Sequence, residues 1–530
     1  MHTTEGDLAA RTSEPPAAPQ EATSRDAAPV EVLVVGVVAL VVGTVLRFVT
    51  TSSLWLDEAL TVNIAEMPVG DVWDWLRHDG HPPLYYVLLH GWIELFGSGD
   101  VAVRALSGVF GLLTFPLAWL AGRRLGGPLL GWLTVVVVAL SPFAVRYSNE
   151  ARMYSLVMLL SFAGYLLLDD VLRRGRDDWL RLAGIALVAG ALLWTHYWAI
   201  WLLGAAGLMV LWQAWRADEA SERSAALRCI GALVVGGVLF LPWVPSMLYQ
   251  SAHTGTPWAD PMRPTSAFNF TLNDFGAGLY ADAGFFGLLT WTFLLLAMFG
   301  ASRGGRHIDL DVRTRPQFRA EALAGALTFG IGIVMAYVLR GAYAPRYAAV
   351  IFPFLVLLVA GGVTRFAARW LRFGVLLVLV AYLGVGAAWN IRDTRTQAST
   401  TAPLIDEYGQ PNDLVVYCPD QLGPAGSRVV RDDVEQVAYP TFGDPRLVDW
   451  VDYQERNDAT DPSEFAQRVL DEAGPDRGIF VVWSGLYKTF EDDCEELVDT
   501  IGAARPTQVL QTESGAFFEK EFVYWFPVAS

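Results

Sequence analysis

Asp57 and Glu58 stand side by side in SSLWLDE, directly after a long apolar run. Beyond them come His81 and Tyr85 in HPPLYY, then Arg146, Glu150, Arg152 and Tyr154 in FAVRYSNEARMY. His196 and Tyr197 follow in THY, and Arg340, Arg346 and Tyr347 lie around GAYAPRY. A carboxylate beside a bilayer costs little facing water and several kcal/mol facing lipid. A guanidinium grips phosphate through forked, charge-assisted hydrogen bonds. Carboxylates and arginines at one membrane surface therefore fit group transfer from a lipid-borne phosphate. A sugar on such a phosphate already has an anionic leaving group and needs no general acid. It needs one base for the attacking hydroxyl, a task Asp57 can perform. Glu150 would orient the acceptor or position Asp57. His81, its direction fixed by Pro82 and Pro83, would hydrogen-bond donor or acceptor.

Each group also has a structural reading. Asp57 and Glu58 suit the first turn of a juxtamembrane helix. His81-Pro82-Pro83 suits a stiff turn. Glu150 and Arg152 can pair with each other, His196 and Tyr197 can anchor at an interface, and Arg340 and Arg346 can snorkel. The functional reading rests on their joint placement.

The elements that must hold these groups are apolar. Of 530 residues, 53% are hydrophobic and only 18% charged, below the roughly 25% charge of soluble chains. Residues 1–30, rich in Ala, Pro, Thr and Glu, read as a disordered cytoplasmic tail. Val32–Val49 reads as a first membrane helix, too long for a cleaved signal peptide. Apolar runs recur near 101–121, 128–146, 153–172, 179–197, 198–215, 228–249, 284–301, 320–339, 345–364 and 372–390, giving about eleven spans of ~20 residues. The segment 83–97 is shorter and carries His90 and Glu94, so it reads as an interfacial helix.

Charge chooses the orientation. With 83–97 not crossing, Arg123/Arg124, Arg173/Arg174/Arg176, Arg216/Arg223, Arg303/Arg306/Arg313/Arg315 and Arg365/Arg369 all fall inside. The first loop 52–100, residues 146–152 and everything past 390 then lie outside. Arg146, Arg152, Arg340 and Arg346 are outer exceptions, and an anionic partner there is one reason for them. The predicted architecture is a polytopic α-helical membrane domain over 31–390 and an extracytoplasmic α/β domain over 391–530, in the plasma membrane. In the latter, DLVVYC, GIFVVW and FVYWF read as buried strands, and EFAQRVLDEAG and CEELVDTIGAA as amphipathic helices. The net charge of −17 reflects acid concentrated in this part. No basic, aromatic-interleaved patch points to nucleic acid. Cys418 and Cys494 fit either a disulfide or two free thiols, and Cys229 reads as packing.

The ordered motifs WLDEA, HPPLYY, LFG with RALSG, LSPFAVRYSNEARMYSL, THY and APRY resemble the bacterial family 39 glycosyltransferases. These are similar to protein O-mannosyltransferases and lipid A aminoarabinose transferases, within the GT-C class of polyprenyl-phosphate-sugar-dependent enzymes. The resemblance spans about 31–390. It implies an inverting transfer of a mannose- or arabinose-like sugar with Asp57 as base, Glu58 beside it and Glu150 as the second acidic site. It also implies Arg346-Tyr347 near the lipid phosphate. His81, Tyr85, Arg152, Tyr154, His196, Tyr197 and Arg340 complete the expected substrate contacts. Many relatives have Gln at Asn149, a departure bearing on acceptor contacts. Protein mannosyltransferases carry a β-trefoil domain in mid-chain, and this chain has no room for one, so glycan and glycolipid acceptors stand beside protein ones. Divalent-cation dependence varies across the class; no ligand cluster stands out beyond Asp57, Glu58 and Glu150, and no metal residues are assigned. The rival reading is a transporter or flippase of lipid-linked sugars. That predicts mid-membrane charges and repeated halves, whereas the charges here sit at span ends.

Overall fold

Apolar sequence dominates the architecture of residues 30–392. The computed structural model describes residues 28–255, 261–277, 284–303, 307–313, 316–339 and 341–528. Arg340 and nearly all of the predicted tail lie outside the described residues. Among those described, six helices are long and apolar enough to cross a bilayer: Asp100–Leu140, Tyr154–Leu172, Ala220–His253, Arg319–Val338, Pro345–Val363 and Arg369–Arg392. Shorter apolar helices cover Val30–Leu46, Leu84–Phe96, Trp179–Thr195 and Gly287–Phe299, and Ala199–Arg216 is also helical. Val34, Val38, Val41 and Val45 on the first helix are each 56% exposed, an apolar face that suits lipid. This is a multi-pass membrane protein.

Two expected spans, 101–121 and 128–146, form one hairpin. Helical geometry fails at Gly126 and Gly127, where Gly127 has φ +78°, a backbone region that favours glycine. The returning arm stops at Leu140, short of the expected 146. Ser141 breaks the helix, its Oγ accepts the Ala144 N–H at 3.3 Å, and a short helix Pro142–Ser148 begins with proline in its first turn. The first helix packs so closely on the hairpin that a Cβ on Gly43 would sit 2.5 Å from the Ala139 carbonyl oxygen. Arg47, buried at that crossing, donates to the Gly43, Ala139 and Val138 carbonyls at 2.8, 2.9 and 2.7 Å. It thereby satisfies carbonyls left open at two helix C-termini. The helix Leu84–Phe96 has 13 residues, about 20 Å at 1.5 Å per residue, too short for a ~30 Å hydrocarbon core.

The C-terminal part is α/β. Its five-stranded sheet runs Glu435–Ala438, Leu414–Cys418, Ile479–Trp483, Phe522–Phe526, Gln508–Gln511. The first three strands are parallel and the last two pairings antiparallel. Strands 414–418 and 479–483 are wholly buried, as continuous apolar runs require when both faces are covered. Helices Pro462–Ala473 and Asp493–Ala504 match the amphipathic stretches. Cys418 and Cys494 form a disulfide, resolving the two alternatives the sequence left open.

A second, two-stranded sheet pairs Thr394–Thr396 in parallel with Phe517–Glu519. It lies directly after the last long helix and faces the loop that carries Asp57.

A candidate active site built on three carboxylates and five guanidiniums

The helix Leu56–Ala65 presents Asp57 and Glu58 in its first turn, where negative charge complements the helix dipole. Successive residues on a helix diverge by about 100°, so the two acids point apart. Glu58 turns inward and is fully buried. Arg104 Nε and Nη2 donate to its two oxygens at 2.7 and 2.6 Å, the Ala151 N–H donates at 2.9 Å, and Arg395 Nη1 lies at 3.4 Å. Glu150 is held through one oxygen, Oε1: Arg395 Nη1 lies at 2.9 Å and Arg146 Nε at 3.1 Å. The sequence placed both acids among catalytic candidates. Both are held in buried ion pairs that anchor the loops, Glu58 through both oxygens and Glu150 through Oε1.

Asp57 is the carboxylate turned the other way. Its Oδ2 lies 3.1 Å from Arg346 Nη2 and 3.9 Å from Arg152 Nη2, and its side chain keeps 20% exposure. Burial alone would raise its pKa, but Arg346 and Arg152 together hold it below the ordinary value. Asp57 is therefore ionised at neutral pH.

Arg152 is fixed from three directions. It donates to Thr61 Oγ1 at 2.7 Å, to the Asp57 carbonyl at 3.3 Å, and to His81 Nε2 at 3.1 Å. A guanidinium has no acceptor, so Nε2 of His81 accepts and Nδ1 carries the proton. That proton is donated to Asp79 Oδ2 at 3.0 Å, where the Tyr86 hydroxyl also donates. An Asp79–His81–Arg152 relay thus backs Asp57. Arg346 lies 5.7 Å over the Trp55 ring and 6.0 Å over Tyr347. Tyr154, His196 and Tyr347 form an aromatic wall, with His196 5.7 Å from Tyr154 and 5.5 Å from Tyr347 between ring centroids.

Two expected contacts, Tyr85 and Tyr197, make other bonds, as does Asn149. Tyr85 is fully buried and hydrogen-bonded to Ser107 at 2.8 Å; its neighbour Tyr86 reaches the relay. The Tyr197 hydroxyl donates to Gln250 and accepts from Trp243 at 2.9 Å, a network that fixes the Leu76 turn. Asn149 donates to the Leu46 carbonyl at 2.6 Å and to Val145 at 3.0 Å, so it ties the loop to the first helix and has no free amide proton for an acceptor. Arg340 lies outside the described residues.

Arg104, Arg395, Asp79, Thr61 and Tyr86 are site-forming residues that the sequence did not single out. Arg104 had a signal, being one more arginine at an outer span end in RALSG; Arg395, in a polar stretch, had none. Asp274, on Pro264–Ala277, is buried beside Arg146, and burial pushes its carboxyl up to about 7. The residues present do not fit a cation site. Guanidiniums face the oxygens of Asp57, Glu58 and Glu150, and no group of three metal-ligating side chains exists among the described residues.

A family model described as dolichyl-phosphate-mannose-protein mannosyltransferase matches residues 80–244, the stretch holding His81, Arg104, Glu150, Arg152 and His196. No curated protein matches the chain. Among solved structures, ArnT from Cupriavidus metallidurans in the apo state has TM-score 0.55 at 14% identity, covering 93% of this chain and 97% of that one. The same protein bound to undecaprenyl phosphate has TM-score 0.54 at 16% identity, with the same coverage. The chain has a fold similar to that of ArnT along almost its whole length, and the mannosyltransferase family match falls on the stretch that carries most of the candidate site.

Proposed function

We propose that this protein transfers a sugar from a polyprenyl-phosphate donor to an acceptor outside the cytoplasm, with Asp57 as the base. The observation that carries the reading is the Asp57–Arg346–Arg152 cluster: an ionised carboxylate beside two guanidiniums in the first turn of the Leu56–Ala65 helix. The acceptor hydroxyl oxygen bonds to the anomeric carbon as the bond from that carbon to the phosphate oxygen breaks. The hydroxyl proton passes to Asp57, and polyprenyl phosphate leaves with the electron pair. A single displacement inverts the anomeric centre. Arg346 and Arg152 neutralise the growing phosphate charge, an effect strengthened where water is excluded. Tyr154, His196 and Tyr347 offer stacking faces for a sugar ring. The sugar is a mannose- or arabinose-like ring, and the acceptor a cell-envelope glycan, glycolipid or protein. The Cys418–Cys494 disulfide supports an extracytoplasmic C-terminal part, since such bonds persist in oxidising compartments.

Mass spectrometry of envelope glycans and glycolipids, with wild type, with Asp57→Asn and without the protein, tests this reading. A glycoform present only with the wild type is the expected result. Identical profiles in all three cells would refute it.

A further inference from the structure

The helix that carries Asp57 lacks its own cap. Its N-cap residue, Trp55, has no side-chain acceptor for the helix's first amides, and such amides need one. The acceptor comes from the far end of the chain: the Leu56 N–H donates to Glu519 Oε1 at 2.8 Å. Phe518 packs on Trp55, edge to face, with ring centroids 5.6 Å apart. On the paired strand, the Arg395 N–H donates to Ser52 Oγ at 2.9 Å. The Arg395 side chain continues inward to Glu58 and Glu150. The small sheet Thr394–Thr396/Phe517–Glu519 therefore grips both the start of the Asp57 helix and the Glu150 loop. Arg395 is 2% exposed and Glu519 5%.

We infer that Glu519 and Arg395 are positioning residues: the C-terminal α/β part completes the active site by fixing Asp57 through the Leu56 amide and Glu150 through a buried guanidinium. This rests on the reading of Asp57 as the base. It gives the soluble part a task inside the site, separate from any acceptor binding. A displacement of about 1 Å at a reacting group can lower a rate by ~10²-fold, so the grip acts on turnover more than on donor affinity.

The test uses the full-length protein in membranes with the host's own lipid-linked sugars, product being quantified by mass spectrometry. Binding of undecaprenyl phosphate is measured in parallel on purified protein, and amide hydrogen exchange is followed at Leu56. Glu519→Gln keeps the acceptor oxygen and should transfer within about threefold of wild type. Glu519→Ala should lose about 10- to 100-fold in transfer, exchange the Leu56 amide faster, and bind undecaprenyl phosphate within about threefold of wild type. Arg395→Lys keeps the charge but is one bond too short to bring its nitrogen to the place of Nη1, which meets both Glu58 and Glu150, and should lower transfer in the same way. Should Glu519→Ala fail to fold, Glu519→Asp withdraws the acceptor by one methylene and should give the same pattern. Wild-type transfer with unchanged Leu56 exchange in Glu519→Ala or Glu519→Asp would overturn the inference, as would an equal loss in Glu519→Gln. If Asp57→Asn is inactive while these variants are normal, only the positioning role falls. If Asp57→Asn is active, the functional reading itself falls.

Discussion

Arg346 Nη2 lies 3.1 Å from Asp57 Oδ2, joining the first outer loop to a turn near the end of the membrane part. The contact does two jobs at once. It keeps Asp57 ionised against the cost of burial, and it holds a guanidinium beside the carboxylate, where the proposed donor phosphate would lie.

Replacing Asp57 by Asn should leave the fold intact. The amide is isosteric, and Glu58 and Arg104 still anchor the helix. Transfer should fall by about 10²–10⁴-fold, the range for loss of a positioned base. Product formation by mass spectrometry and a thermal midpoint in detergent check both halves.

Arg346→Ala should weaken donor binding. A charge-assisted hydrogen bond contributes about 1.5–3 kcal/mol, or roughly 10- to 150-fold in affinity at 1.4 kcal/mol per decade. Titration of purified protein with undecaprenyl phosphate reads this directly; unchanged affinity would remove Arg346 from the phosphate site.

The same arginine sets a pH limit. The depressed pKa of Asp57 means its ionised form, and the stability from its ion pairs, is fully present above the unfolded carboxylate value of about 3.9. Both are lost only as pH falls through the lower folded value. Wild-type transfer should therefore show no acid limb between neutrality and about pH 5. In Arg346→Gln the largest offset to burial is gone, so the acid limb should move to higher pH. A pH–rate profile in which the two proteins coincide would contradict the electrostatic account.

Glu58→Gln should behave as a stability variant. It leaves Arg104 and Arg395 short of a buried counter-charge, and breaking one side of such a pair costs about 3–5 kcal/mol. A lower yield and thermal midpoint are expected. A normal midpoint with abolished transfer would return Glu58 to the catalytic set.

Single cysteines read the orientation. Cys418 and Cys494 are bonded and Cys229 is buried, so the background is silent. A membrane-impermeant maleimide should label Glu455→Cys in intact cells and Asp218→Cys only after permeabilisation. The reverse pattern would invert the topology.

Asp57 was legible in the sequence because an acid just past a span has few inexpensive places to go. The arginines at outer span ends were legible for the opposite reason, as exceptions to a charge rule. Glu58 was not separable from Asp57, because adjacency in sequence hides a 100° turn around the helix axis. Tyr85 and Tyr86 raised the same ambiguity: Tyr85 meets Ser107, and it is Tyr86 that reaches Asp79.

Sequence by itself determined the multi-pass membrane class, the strands and helices of the C-terminal part, and the carboxylates and arginines that the fold gathers. Hydropathy and periodicity are local properties, and bilayer thickness converts them directly into elements. Only the tertiary structure decided which carboxylate is buried in ion pairs and which keeps some exposure. Arg104, Arg395 and Glu519 come from three distant segments, and an ion pair forms where folding brings its partners within about 4 Å, a distance no linear pattern encodes.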